Sequence, residues 1–222
     1  MRRIRNVAVA LLLAALLLSL GGCQKEVPAP PDGPVTELAY PGTYWTMSPD
    51  QVKDALSLPA SGLPEDEQPA DPDTGTPANY RFGMEGWEGF GASGSIAFLF
   101  HEDAADPGSY RLYQVHIFLD GGTDIQAVID ALTEQYGAPA QANETSAKWE
   151  SQSKSRDYLD DDVNARLEAV FPDELSIYGP GLPLAGIDLY IINDDDIGGT
   201  LVFSGRHAAI QNLAQTYVLS DG

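Results

Sequence analysis

Two apolar runs joined by a polar loop constrain this chain more than any other feature. Ser95 to His101 and Arg111 to Leu119 are rich in Ile, Phe, Val and Leu, and each has the length of a strand. The loop between them holds Asp106-Pro107-Gly108, which is turn chemistry, so the runs read as antiparallel neighbours. Tyr80 to Phe90, where aromatics alternate with glycines, precedes them and completes a meander. After Asp120-Gly121-Gly122 comes the strongest helical pattern. Thr123 and Gln126 form a capping box, Ile125, Val128, Ile129, Leu132 and Tyr136 make one apolar stripe, and Gly137 with Pro139 ends it.

An earlier helix is predicted over 49–58, where Ser48-Pro49-Asp50-Gln51 is a capping box with proline at the first helical position, and Val52, Ala55 and Leu56 share a face. It stops before Pro59. Later, Ala147 to Ser151 around Trp149 reads as a strand, and Asp162 to Phe171 fits a helix better than a strand because of its Ala-Arg-Leu-Glu composition. Ile187–Asn193 and Thr200–Phe203 form a predicted hairpin, followed by a last helix from about Arg206 to Val218. The fold class is therefore α+β: antiparallel β-sheet packed with three to four short helices.

Val52-Lys53-Asp54-Ala55-Leu56-Ser57 aligns with Val128-Ile129-Asp130-Ala131-Leu132-Thr133 at an offset of 76, which points to a tandem repeat of a helix followed by strands, with halves 44–120 and 121–222. In arrangement the body resembles the small helix-plus-sheet modules of the BamE-like and β-lactamase-inhibitor-like proteins, a resemblance that implies binding to other proteins.

Two stretches are expected to lie outside the folded body. Residues 59–79 interleave five prolines with Glu65, Asp66, Glu67, Asp71 and Asp73, a composition that cannot bury enough surface to order itself, and are expected to be a disordered acidic loop. Residues 23–43 carry Pro28, Pro30, Pro31, Pro34 and Pro41 and read as a tether. At about 3.1 Å per residue, some twenty residues in a polyproline-like state reach roughly 60 Å.

The N-terminus explains what is tethered. Arg2, Arg3 and Arg5 form a basic start, and Val7 to Leu20 is a 14-residue apolar run, long enough for a signal peptide but short of the roughly 20 residues that span a bilayer. The run ends in Leu20-Gly21-Gly22-Cys23, which resembles the lipobox of bacterial lipoproteins over residues 1 to 23. The resemblance implies cleavage between Gly22 and Cys23 and a diacylglycerol on the Cys23 thiol. It makes 1–22 a signal peptide and the protein lipid-anchored on the extracytoplasmic face of the cell membrane. Cys23 is the sole cysteine, so the chain has no thiol for disulfide, metal or redox chemistry. Two acyl chains suffice for stable anchoring, where one is marginal.

Charge narrows the partners. Discounting the three signal arginines leaves nine basic residues against 33 acidic ones, a net charge of −24 for the mature chain. A field of that sign repels nucleic acid and anionic headgroups and attracts cations and basic polypeptides. The membrane is then met through the lipid at Cys23, and a further partner is expected to be a protein, peptide or wall component, not nucleic acid.

No stretch carries a convincing catalytic constellation, so the chain reads as a non-enzyme with no cofactor and no metal site. An EF-hand frame begun at Asp194 puts Gly198 at a ligand position and Gly205 where the bidentate Glu belongs, and Asp71-Pro72-Asp73-Thr74-Gly75 fails in the same way. Ser151-x-x-Lys154 lacks its Lys-Thr-Gly and Ser-Asp-Asn partners. Gly91-Ala92-Ser93-Gly94-Ser95 reads as a flexible turn, and His101, His116 and His207 lack metal-ligand spacing. Glu85 and Glu88, flanking Trp87 in Met84-Glu85-Gly86-Trp87-Glu88-Gly89-Phe90, are the best candidate ligand contacts, since paired carboxylates beside aromatics suit sugars. Trp45 and Trp149 join them as candidate stacking surfaces. The alternative to a binding module is thus a lipoprotein that holds a solute, carbohydrate or wall fragment and has a wall-modifying activity.

Overall fold

The computed structural model describes residues 35–70, 78–103, 106–154, 157, 159, 161–170, 182–192, 197–207 and 210. The predicted signal peptide, Cys23 and most of the Pro-rich stretch lie outside these residues, as does nearly all of the predicted last helix.

The architecture is α+β and dominated by one open antiparallel sheet of eight strands. In chain order the elements are α1 (Pro49–Ala55), β1 (Glu65–Gln68), β2 (Asn79–Gly89), β3 (Ala92–Glu102), β4 (Tyr110–Asp120), α2 (Ile125–Tyr136), β5 (Gln141–Ala142), β6 (Ser146–Glu150), α3 (Asp161–Val170), β7 (Ala185–Ile191) and β8 (Ile197–Gly205). The strand order is β1-β2-β3-β4-β8-β7-β6-β5. Each half of the chain contributes a leading helix and four strands, the second half inserting α3 between β6 and β7, and the halves join through their last strands, with Gln114 opposite Ser204 and Ile117 opposite Leu201.

Alternation along the strands decides which face is inside. Phe82 of β2, Ile96, Phe98 and Phe100 of β3, Val115, Ile117 and Leu119 of β4, Leu201 and Phe203 of β8, Ile187 and Leu189 of β7 and Trp149 of β6 belong to one buried cluster. Val52 of α1 and Val128 and Leu132 of α2 cover it. Burial of aromatics of this size supplies most of the driving force for closing the layer. Val163 and Leu167 of α3 are buried apart from that cluster, as are Leu159, Leu184 and Ile210.

Several boundaries differ from expectation. The capping box at Ser48 and Gln51 is present, but α1 ends at Ala55 instead of 58. For α2 the N-cap is Asp124, whose carboxylate accepts from the amides of Gln126 and Ala127, while the Thr123 hydroxyl turns back to the carbonyl of Asp120. A carboxylate one residue nearer the helix reaches those amides and carries the charge that a helix N-terminus favours.

The acidic stretch is not wholly unstructured. Glu65–Gln68 is an edge strand on β2, and its residues 71–77 lie outside the described residues. Its side chains are exposed, so no core burial holds it. Backbone pairing does, together with Lys53 on Glu65 at 2.8 Å, Arg81 on Asp66 at 3.0 Å and the Tyr110 hydroxyl on Glu67 at 2.5 Å. Composition measures the capacity to bury surface and is blind to an edge that lends its hydrogen bonds.

The folded body also begins earlier than Tyr44. Val35 bridges to Trp45, Ala39 is buried, and the Tyr40 ring meets Phe90, Phe98 and Phe203 edge-on at 6.5, 5.8 and 5.6 Å. The prolines of 28–41 obscured this, because an irregular segment anchored by single aromatics has no period to detect. Likewise the turn between β2 and β3 is Phe90-Gly91, with φ of +48° and +74°, and Ala92 to Ser95 is strand. Both positive angles suit a two-residue hairpin, so the glycine-rich stretch is ordered pairing and no flexible turn.

Candidate functional site

α1, α2 and the N-terminal segment pack on one face of the sheet, and the strand residues that alternate with the core define the other, outer face. Pairing registers define it row by row. One row runs Glu85, Ser95, Phe118, Thr200, Tyr190, Ser146; the next runs Gly83, Ala97, His116, Val202, Asp188, Lys148. A third runs Asp66, Arg81, Leu99, Gln114, Ser204, Gly186, Glu150. Small residues form much of the floor, and aromatics stand at Phe118 and Tyr190. An antiparallel sheet commonly leaves one face to solvent. This one is unusual in carrying apolar residues there.

The row containing His116 holds three titratable side chains with shifted pKa values, His116, Asp188 and Lys148. Burial lowers the His116 pKa, and its Nε2 lies 3.1 Å from Gln114 Oε1. Asp188 is half-buried, which raises its pKa against the pull of Lys148 and Arg206. Lys148 is bonded to Glu150 at 2.8 Å, and that contact raises its own pKa.

Among the described residues, hollows open off this face and its ends. One, of about 310 Å³, has Gly83 and Ala97 in its floor and Arg81, Glu85 and Phe118 in its walls. Another, of about 710 Å³, sits at the end of the sheet between the β2–β3 turn and the start of α2, lined by Glu88, Ser93, Asp120, Thr123 and Asp124. Within it Ser93 donates to Asp120 at 2.6 Å, and Asp124 is committed to capping α2. Among the described residues no group of three or more His, Cys, Asp or Glu side chains is arranged to hold a metal ion. The aspartates of 71–73 and 194–196 lie outside the described residues.

The sequence candidates are distributed differently from the reading that selected them. Trp45, Trp87 and Trp149 are 1%, 5% and 2% exposed. Their indole N–H groups are spent internally, on the Glu37 carbonyl at 3.0 Å, the Tyr40 hydroxyl at 2.9 Å and the Gly137 carbonyl at 2.8 Å. None offers a face to a sugar; they are core anchors. Glu85 and Glu88 are exposed and straddle a bulge, Glu85 opposite Ser95 and Glu88 opposite Ser93. Gly86 takes φ +70° there and absorbs the extra residue, so both carboxylates fall on the outer face. They line separate hollows, Glu85 the first and Glu88 the second.

The remaining candidates are structural. Ser151 is buried, its hydroxyl donating to the Ser153 carbonyl and accepting from the Ala185 amide, so it is a strand-end clamp. His101 contacts Asn79 Oδ1 through Nδ1 at 2.6 Å and stacks on Tyr113 at 3.5 Å, and burial holds its pKa at about 4. His207 is likewise held at about 4, chiefly by burial, with Glu37 pulling the other way.

Sequence reasoning passed over Phe118 and Tyr190. The signal was present: in Val115-His116-Ile117-Phe118-Leu119 a large apolar residue takes the outward position, and Leu189-Tyr190-Ile191-Ile192 is apolar on both faces. Compared with protein-family models, with curated proteins and with solved structures, the chain matches none.

Proposed function

We propose that this protein is a lipoprotein anchored through Cys23 on the outer side of the cell membrane, whose body is a non-catalytic module that binds a partner through the open face of its sheet. The observation that carries the binding reading is that face: a broad surface away from α1 and α2, with small residues in its floor and exposed aromatics at Phe118 and Tyr190. The Leu20-Gly21-Gly22-Cys23 motif and the single cysteine support the anchor. Buried tryptophans weigh against the carbohydrate-stacking alternative.

The tandem repeat belongs to the same proposal. A leading helix and four strands in each half, joined last strand to last strand, is the arrangement expected of a duplicated unit whose copies share one sheet, with α3 an insertion in the second copy. Duplication widens the outer face to twice what one unit presents, which suits a surface that recognises a protein instead of a small molecule.

The test is affinity capture from membranes with the full lipidated chain, comparing wild type with Val202→Asp, which puts a charge in the middle of the outer face. A partner recovered by wild type and lost by V202D supports the reading. A partner set unaffected by this and by Thr200→Arg contradicts it.

A further inference from the structure

Four large apolar side chains among the described residues are left open to solvent: Phe118 at 44%, Tyr190 at 52%, and Ile192 and Ile197 at 40% each. They come from three strands and their ends, yet the fold gathers them at one corner of the sheet. Phe118 is opposite Thr200 and Thr200 is opposite Tyr190, so two strand spacings, roughly 10 Å, separate the two rings across the outer face. Ile197 pairs with Asp120, two residues beyond Phe118, and the Ile192 amide bonds to the Gly198 carbonyl at 3.1 Å beside it. Scattered single apolar residues need no explanation, but a contiguous group at one corner does.

The charge around this corner has one sign. Glu85 stands in the same row as Phe118, with only Ser95 between them, and Glu88 is opposite Ser93, whose hydroxyl holds Asp120. The cations near the outer face lie in other rows and are already engaged: Lys148, diagonal to Tyr190, by Glu150; Arg81 by Asp66; and Arg206, which acts on Asp188, by the Pro183 carbonyl. With a net charge of −24 for the mature chain, pairing two copies through this corner would bring acidic rims together, and an anionic lipid surface would be repelled.

We propose that this corner docks a cationic, apolar polypeptide segment of a partner protein. Apolar side chains of the segment cover Phe118, Tyr190 and Ile197, and its Lys or Arg side chains meet Glu85, Glu88 and Asp120. The inference rests on the binding-module reading above and adds to it the place and the chemistry of the partner.

The experiment uses the full lipidated chain in nanodiscs of zwitterionic lipid, with empty nanodiscs as blank. It titrates three fluorescein-labelled synthetic peptides of alternating Lys and Leu, Lys and Ser, and Glu and Leu. The expected result is saturable anisotropy change with the Lys/Leu peptide alone. Phe118→Ser combined with Tyr190→Ser should weaken its binding at least tenfold, Glu85→Gln with Glu88→Gln should weaken it and flatten its salt dependence, and Glu134→Gln on α2 should leave it unchanged. Circular dichroism of each variant checks the fold, and Thr200→Arg, which adds a like charge for the peptide at the centre of the corner, provides a second route to the same loss. Equal binding of the Lys/Ser peptide, or binding indifferent to the Phe118 and Tyr190 changes, would overturn the proposal in favour of bulk charge attraction. Dimerisation abolished by those same changes would overturn it in favour of a second copy. If F118S/Y190S still captures the membrane partner that V202D loses, the corner is wrong while the binding-module reading stands.

Discussion

The indole N–H of Trp87 donates to the hydroxyl of Tyr40 at 2.9 Å, joining β2 to a segment 47 residues earlier in the chain. Tyr40 also packs on Phe203 at 5.6 Å, and Tyr136 of α2 bonds to the Ala39 carbonyl at 2.9 Å. The segment from Val35 to Tyr44 is therefore woven into the core on the side of the sheet that α1 and α2 cover. Replacing Tyr40 by Phe keeps the ring and strands the buried Trp87 donor, so we expect a loss of about 1–3 kcal/mol in urea unfolding followed by circular dichroism. A change within about 0.5 kcal/mol would show that the bond is not needed to hold the segment.

Gly205 and Trp45 are fitted to each other. A Cβ at position 205 would lie 2.2 Å from Trp45 Cδ2, and the indole has no open side to retreat into because it is 1% exposed. Gly205→Ala should destabilise by about 1–3 kcal/mol or more through overpacking, and a thermal melt at wild-type temperature would refute that fit.

Much of this was open to reading from the chain, and the misses share a cause. The strands β3 and β4, the hairpin β7–β8 and the stripe of α2 were legible because Phe98, Phe100, Val115, Ile117, Val128 and Leu132 recur with the period of the element they bury. The edge strand Glu65–Gln68 was hidden because it buries nothing, and the Val35–Tyr44 segment because Tyr40 works as an isolated anchor. The tryptophans drew attention as ligand surfaces, yet only pairing and burial tell that Trp45, Trp87 and Trp149 face inward. Phe118 and Tyr190, which matter more to the binding reading, become neighbours only once β8 lies between them.

Acid should loosen the fold through its histidines. Burial depresses His101 and His207 from the ordinary 6.5 to about 4, and lowers His116 as well. In each case the folded pKa is below the unfolded one, so the unfolded chain takes up protons first. Stability is then full above about pH 6.5 and falls as pH drops toward 4, on the order of 3 kcal/mol for each of His101 and His207. Urea midpoints measured across that window should decline steadily, and His101→Gln should reduce the slope. A flat profile, or one unaltered by H101Q, would contradict the assignment.

In the proposed reading, anchoring rests on one atom, the Cys23 sulfur. Cys23→Ser should abolish fatty-acid labelling and move the protein from the membrane fraction to the medium or periplasm, since the net negative charge of the body repels anionic lipid. A C23S chain that stays with the membrane would show that something other than a diacylglycerol holds it.

The central claim is that the uncovered sheet face, and not the helical face, meets the partner. Site-resolved photo-crosslinking in living cells tests it most directly, with a photoreactive residue placed singly at Thr200 or Val202 on the outer face and at Glu134 on α2. Our account predicts a discrete adduct of the same mass shift from positions 200 and 202 and none from 134. Adducts from position 134 with none from 200 or 202 would contradict it.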